Sequence, residues 1–359
     1  MKIHLVAGFL GSGKTTAIVK LNILLKEQKF NTACITNDQG SYLVDSKFMK
    51  MSKVPFREVT GGCFCCNYNK LNNQIIDLYK FEKPTHIFAE SVGSCTDIIA
   101  TVLKPMQQYG IVEIEQITFS TFVDAQILLL FLQNKKTCFE SETEYIWKKQ
   151  IEEAEILVVN KVDLISEVEK EFINKNIQLV FGKKNTIFQN SLYDQSVSLW
   201  FETINSISII QHKSLEIDYE KYAIGEANLA WLDDDILINS PSGIALDIAK
   251  EFITGLLNNV LETNLNIGHM KFILSYNGKD HKVSFTTVVN QNDLNELVSE
   301  KATDVKVMVN ARIQILPKIL RTLITNELTL LIKKYDVTIG EKNISFFQPG
   351  YPTPTHRIA

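Results

Sequence analysis

The stretch "GFLGSGKT" at residues 8–15 follows an apolar run, "KIHLVA" (2–7), and opens into "KTTAIVKLNILLKEQ" (14–28). From Gly8 to Thr15 it matches the spacing G-x-x-x-x-G-K-[ST]. Gly8, Gly11 and Gly13 let backbone N–H groups turn inward around phosphate oxygens, an approach that a Cβ would obstruct. Lys14 carries a point charge toward the outer phosphates, and the Thr15 hydroxyl is placed to ligate Mg²⁺, with Ser12 and Thr16 flanking them. The dipole of the helix that follows favours the same anion. A strand before this loop and a helix after it predict a P-loop nucleotide site within an α/β fold.

The alternation continues outward from this loop. "NTACITND" (31–38), "THIFAES" (85–91), "QITFSTFVDA" (116–125), "EILVVNK" (155–161) and "NTIFQNS" (185–191) read as buried strands separated by helix-length segments. Such alternation predicts a parallel sheet with helices on both faces, whose ligands gather at the carboxyl ends of the strands. The pattern changes after residue 212. An amphipathic helix (244–262), a hairpin (269–289) turning at Asn277-Gly278-Lys279-Asp280, a short helix (292–300), a strand (304–313) and a long helix (315–335) predict a smaller α+β domain. The expected division is a nucleotide domain at 1–212, a connecting segment at 213–242, the smaller domain at 243–340 and a Pro-rich extended tail at 341–359. No internal repeat is found.

Composition narrows the function classes. The 359 residues are 45% hydrophobic and 22% charged, ordinary for a globular chain large enough for two cores. A formal net charge of -4 argues against a general nucleic-acid binder. The longest apolar run, "ILLLFL" (127–132), is far short of the ~20 residues that span a bilayer. Met1 to Ala7 lacks the pattern of a signal peptide, so a cytoplasmic location and no membrane partner are expected.

Two motifs downstream specify the nucleotide. In "VVNKVD" (158–163) a carboxylate at Asp163 can accept two parallel hydrogen bonds from guanine, which adenine cannot offer. Asn160 and Lys161 shape that pocket, and Asn190-Ser191 after the next strand backs the base. In "HIFAESVG", Glu90 ends a strand where it can hold Mg²⁺ through water, and Gly93 lets the backbone sense the γ-phosphate.

The third motif is "GGCFCC" (61–66), which holds three of the six cysteines: Cys63, Cys65 and Cys66. Reduced thiols on a glycine-preceded loop suit Zn²⁺ best, with Co²⁺, Cu(I) or Ni²⁺ as further occupants. Three local ligands leave the fourth position to water, a distant side chain or a partner, as transfer of the ion would require. A fixed structural ion and a redox pair are the competing readings. Cys34 and Cys95 read as core or loop positions, and Cys138 has no assigned role. His269 and His281 flank the hairpin and read as a solvated cross-strand pair.

"GFLGSGKTT", "GGCFCC", "ESVG" and "NKVD", in this order across residues 3–195, resemble the CobW family of GTPases, relatives of the hydrogenase- and urease-maturation proteins HypB and UreG. The resemblance implies a GTP-hydrolysing metallochaperone that hands a transition metal to a client metalloprotein or a cofactor-maturation enzyme. GTP, GDP and Mg²⁺ are the implied ligands, and a nucleotide-dependent homodimer is a further expected partner. Where many members have N-E-F-G, this chain reads "NDQGSYLVD", so Asp38 or Asp45 stands for that glutamate near Mg²⁺, with Asp38 expected to act beside Lys14 and Glu90 in hydrolysis. The loop lacks the early lysine of deviant Walker motifs. A small-molecule kinase and a nucleotide-regulated scaffold with structural zinc are the alternatives.

Overall fold

Seven parallel strands form the first sheet, and its centre is the strand that feeds the phosphate loop. The computed structural model describes residues 1–40, 54–135, 139–207, 213–263, 265–287, 294, 297 and 300–359. The strands are β1 (Lys2–Gly8), β2 (Thr32–Asn37), β3 (Phe56–Val59), β4 (His86–Glu90), β5 (Gln116–Asp124), β6 (Ile156–Asn160) and β7 (Asn185–Gln189). Their order is β3-β2-β4-β1-β5-β6-β7, every adjacent pair parallel. Helices α1 (Lys14–Glu27), α2 (Tyr68–Phe81), α3 (Lys104–Tyr109, continuing a π-helical turn at Ile99–Leu103), α4 (Ala125–Leu132), α5 (Ser141–Glu153), α6 (Glu167–Phe181) and α7 (Asp194–Ser206) connect them. The strand β3 has no counterpart in the sequence reading. It is only four residues, "FREV", and its charged pair breaks the apolar run that marks the other strands.

The register decides what meets at the carboxyl end. Val6 of β1 lies beside Glu90 of β4, Gly8 beside Phe122 of β5, and Asp124 beside Asn160 of β6. The loops after β1, β4 and β6 therefore emerge together. Under them, Ile18 and Leu21 of α1 pack with Phe88, Phe122 and Trp200 in one buried cluster. Each such side chain contributes about 1.5–3 kcal/mol on burial, so the loops stand on a stiff base. Trp200 also donates its indole N–H to Ser120 Oγ at 3.0 Å.

The second unit spans Glu226–Gly350 and carries an antiparallel sheet ordered β10-β9-β11-β8-β12. Its strands are β8 (Ala230–Asn239), β9 (Ile267–Tyr276), β10 (Lys279–Phe285), β11 (Asp304–Ile313) and β12 (Thr338–Phe347). Helix α8 (Tyr219–Ala227) precedes it, and α9 (Ala245–Glu262) and α10 (Pro317–Lys334) share its core through Phe252, Leu256, Leu320 and Ile324.

The sequence reading differs here in three places. The segment 213–242, expected as a connector, contains α8 and the buried strand β8. The Pro-rich tail expected from 341 begins as β12, and residues Tyr351–Ala359 belong to the first unit. Strand β8 is concealed by Asp233-Asp234-Asp235, which look unfit for a sheet interior. Arg312 pairs with Asp233 at 2.9 Å and Lys306 with Asp235 at 2.9 Å, so two of the charges are neutralised from another element, while burial, then Glu341, pushes the Asp234 carboxyl up to about 8. His269 and His281 do not face each other: His269 bonds Asn310 Oδ1 at 2.6 Å and His281 stacks on Tyr276. Most of the helix expected at 292–300 lies outside the described residues.

Candidate functional site

The phosphate loop turns through left-handed backbone at Gly11 (φ 76°) and Gly13 (φ 91°), and Gly13 caps α1 without a side-chain acceptor. The first N–H groups of α1 thus point into the loop, where an anion can take them. A Cβ at Gly13 would strike the Asn160 amide, so the glycine is required by close approach as well as by φ. Lys14 folds back on the loop, donating to Gly8 O at 2.7 Å and Phe9 O at 3.3 Å. Ser12 Oγ is buried with no hydrogen-bond partner among the described residues. That orphaned hydroxyl and the cradle of inward N–H groups fit a bound phosphate chain.

Thr15 Oγ1 donates to Glu90 Oε1 at 2.8 Å, and Lys14 Nζ stands 4.0 Å from the same oxygen. Two oxygens about 2.9 Å apart suit neighbouring positions of an octahedron with Mg–O bonds of about 2.1 Å. The donor set is therefore of the right kind and spacing for Mg²⁺. Thr16 is half-buried in the first turn of α1, and Gly93 packs so closely on the loop that a Cβ would come within 2.9 Å of Leu10 N. Asp38 is buried just after β2, its N–H bonded to Val59 O at 3.2 Å, while Asp45 lies outside the described residues.

Asn160 ties three loops together. Its Nδ2 donates to Ser12 O at 2.7 Å, and its Oδ1 accepts from Ser191 N at 3.1 Å and Ser191 Oγ at 2.8 Å. Lys161 sits in the left-handed region (φ 63°) and pairs with Asp124 Oδ2 at 2.8 Å. Asp163 follows on the 3-10 turn Val162–Leu164, exposed, where its carboxylate is open to a ligand. Asn160, Lys161, Ser191 and the phosphate loop thus form one connected group, with Asp163 at its rim. The sequence reading passed over Asp124. Its signal was an acidic residue at a strand end beside a motif asparagine, and it also caps α4 through Gln126 N and Ile127 N.

The cysteine motif lies on the loop between β3 and α2. Sγ to Sγ distances are 2.8 Å for Cys63–Cys65, 3.3 Å for Cys63–Cys66 and 3.8 Å for Cys65–Cys66. A tetrahedron with metal–sulfur bonds of about 2.3 Å has edges of about 3.8 Å, so a small outward shift would seat an ion. Asn37, at the end of β2, pins the loop: Nδ2 donates to Val59 O and Gly62 O, and Oδ1 accepts from Phe64 N at 2.8 Å. Hydrogen bonds from Cys65, then Cys66 and Cys95, hold the Cys63 thiol well below its ordinary range. The bond to Cys63 drives Cys65 well above it and is the main cause pushing Cys66 up to about 11. A soft cation bound to these sulfurs would displace their protons.

One neighbour of this cluster comes from far along the chain. Thr355 donates its N–H to Cys65 O at 2.9 Å and its hydroxyl to Cys66 O at 3.0 Å. Cys95, expected as a core or loop residue, is fully buried, its N–H bonded to Val92 O at 3.0 Å. Cys34 is buried within β2 and Cys138 lies outside the described residues. Among the described residues no helix is long and apolar enough to cross a membrane.

The family model described as CobW/HypB/UreG, nucleotide-binding domain, matches residues 2–188. Over 167 residues the chain is 28% identical to the zinc chaperone YeiR of Escherichia coli (strain K12), covering 45% of this chain and 47% of that protein. It is 27% identical over 179 residues to the zinc chaperone YjiA of the same organism, covering 47% and 51%. The matched stretch thus spans about half the length of these curated relatives. Among solved structures, nickel-bound HypB from Helicobacter pylori aligns with 14% identity and TM-score 0.43, covering 61% of this chain and 92% of that one. Zn(II)-bound YjiA GTPase from E. coli aligns with 13% identity and TM-score 0.38, covering 91% and 98%.

Proposed function

The chain belongs to the CobW/HypB/UreG family, and from that premise we propose that it is a GTP-hydrolysing metallochaperone, taking a thiophilic divalent ion as cargo on Cys63, Cys65 and Cys66. The observation that carries this reading is the thiol triad, whose three sulfurs lie within 4.8 Å of one another on a loop that Asn37 ties to the end of β2. Asp38, one residue further, and Glu90, at the end of the neighbouring β4, flank the nucleotide end of the same sheet. In this reading Gly8, Gly11, Ser12, Gly13, Lys14, Thr15 and Thr16 hold the phosphates. Thr15 and Glu90 hold Mg²⁺, which would supply charge neutralisation at the β- and γ-oxygens. Asp163 reads the base, Asn160, Lys161 and Ser191 position that loop, and Gly93 reports the γ-phosphate. Lys14 neutralises charge developing on the outer phosphates, while Asp38 and Glu90 orient water at the hydrolytic centre.

Zinc is the favoured cargo on two grounds: thiolate ligands suit it, and the curated relatives are themselves zinc chaperones. Co²⁺ and Ni²⁺ are the other candidates. The ion passes to a client metalloprotein or a cofactor-maturation enzyme.

The test is steady-state GTP turnover of the full chain, wild type against Lys14→Ala, with metal release to a chromophoric chelator followed under GTP and GDP. Turnover should fall about a hundredfold or more in the variant. Release from wild-type protein should differ between nucleotides by about 5- to 150-fold. Unchanged turnover in Lys14→Ala would overturn the enzymatic half, and nucleotide-independent release would overturn the chaperone half.

A further inference from the structure

The sulfur spacings single out Cys63. Cys65 and Cys66 already stand 3.8 Å apart, the edge of a tetrahedral thiolate site at about 3.8 Å, whereas the two edges that include Cys63 are short, 2.8 and 3.3 Å. Seating an ion therefore asks one sulfur to move outward against two that are in place. Asn37 is the residue that holds the chain around it. Its Nδ2 donates to Val59 O at 2.9 Å and Gly62 O at 2.8 Å, and its Oδ1 accepts from Phe64 N at 2.8 Å. Gly62 O and Phe64 N belong to the peptide groups on either side of Cys63, so one amide grips both. The other two cysteines are held from elsewhere: Thr355 donates its N–H to Cys65 O at 2.9 Å and its hydroxyl to Cys66 O at 3.0 Å.

We propose that Asn37 is the positioning residue that couples nucleotide to metal, carrying movement at the end of β2 to Cys63. The inference rests on the metallochaperone reading and names the residue through which its regulation runs. Val59 O is the junction, accepting from Asn37 Nδ2 and also from Asp38 N at 3.2 Å. Asp38 is buried at this point, and β2 pairs with β4, Ile35 opposite Ala89, so that β2 ends alongside Glu90 and the Thr15 hydroxyl that Glu90 receives. A γ-phosphate that displaces Asp38 thus pulls on Asn37, and the amide passes the shift to the peptides flanking Cys63. Cys65 and Cys66 stay with Thr355, so the Cys63 edges lengthen or shorten and metal affinity follows the nucleotide. The link needs both ends of the amide: aspartate keeps the acceptor but loses both donors, and alanine loses all three bonds.

Titration of the reduced full chain with Co²⁺, followed by thiolate-to-cobalt absorption in GDP and in a non-hydrolysable GTP analogue, reads the coupling as a ratio of two affinities. The wild-type ratio is expected at about 5- to 150-fold. Asn37→Ala should weaken Co²⁺ binding about 10- to 100-fold and bring the ratio close to one. The metal-free variant should bind GDP and the analogue as wild type does, because the phosphate and base contacts lie elsewhere. A folded variant that has lost nucleotide binding would put Asn37 in the nucleotide pocket and end its role as a link. Amide hydrogen exchange on the metal-free wild-type chain needs no substitution. Protection of the Phe64 N–H, the donor to Asn37, should differ between GDP and the analogue, and equal protection would overturn the inference even where Asn37→Ala fails to fold. The two levels of failure separate cleanly. Wild-type chain that binds no Co²⁺, or binds it equally with both nucleotides, sinks the metallochaperone reading itself. Coupled wild type beside an equally coupled Asn37→Ala sinks the role of Asn37 alone.

Discussion

Asn160 shows how much a single side chain can organise. One amide joins the glycine-rich loop, through Ser12 O, to the loop after β7, through Ser191, so the two loops cannot move independently. Asp163 is different: it is exposed and free to commit both oxygens to a ligand. Guanine offers two parallel donors to a carboxylate, and xanthine replaces one of them with a carbonyl. Asp163→Asn should therefore weaken GTP binding about ten- to a hundredfold, the worth of a charge-assisted hydrogen bond, and shift preference toward XTP. Competition of GTP and XTP against a fluorescent guanine nucleotide measures this, and unaltered GTP affinity would remove Asp163 from the base pocket.

At the scale of elements, the centre of the parallel sheet carries a buried polar chain. His4 on β1 meets His86 on β4 at 2.9 Å and Thr118 on β5 at 2.7 Å, so three adjacent strands are linked through one imidazole. Burial, then the neighbouring His86, holds His4 well below its ordinary value. Burial, then Lys2, lowers His86 to about 4. Both rings are neutral in the folded chain, whereas in the unfolded chain they titrate near 6.5. Their folded values are depressed bases, so the stability they support is present above about pH 6.5 and is lost as pH falls toward 4. Melting temperature should drop across that window. His86→Phe, packed among Phe30 and Phe201, should drop less steeply, and identical slopes for the two proteins would exclude this pair as the cause.

At the scale of the molecule, the last nine residues return to the first unit and cover the cysteine loop. Besides the Thr355 bonds to Cys65 and Cys66, Arg357 pairs with Asp97 at 2.8 Å and Ile358 N bonds Ala100 O at 2.8 Å. Deleting residues 351–359 should speed reaction of Cys66 with an aromatic disulfide by about tenfold or more, because opening of a covered site follows the bonds that close it. A rate equal to that of the full chain would show that the tail does not shield the thiol.

The sequence by itself determined the elements whose information is local. The phosphate loop, N-K-x-D and C-x-C-C each place their chemistry within a few consecutive residues, and the strand–helix alternation follows from apolar runs that any parallel sheet must bury. Tertiary structure alone decided the rest. Strand β8 is buried in spite of Asp233, Asp234 and Asp235, because Arg312 and Lys306 arrive from distant positions to neutralise Asp233 and Asp235 and burial pushes the Asp234 carboxyl up to about 8. Thr355 reaches the cysteine loop from 290 positions beyond Cys65 (355 − 65). Motifs record what neighbouring residues do for one another. Which distant group supplies a missing charge or a backbone partner depends on how the strands order and the loops converge, and no local pattern encodes that.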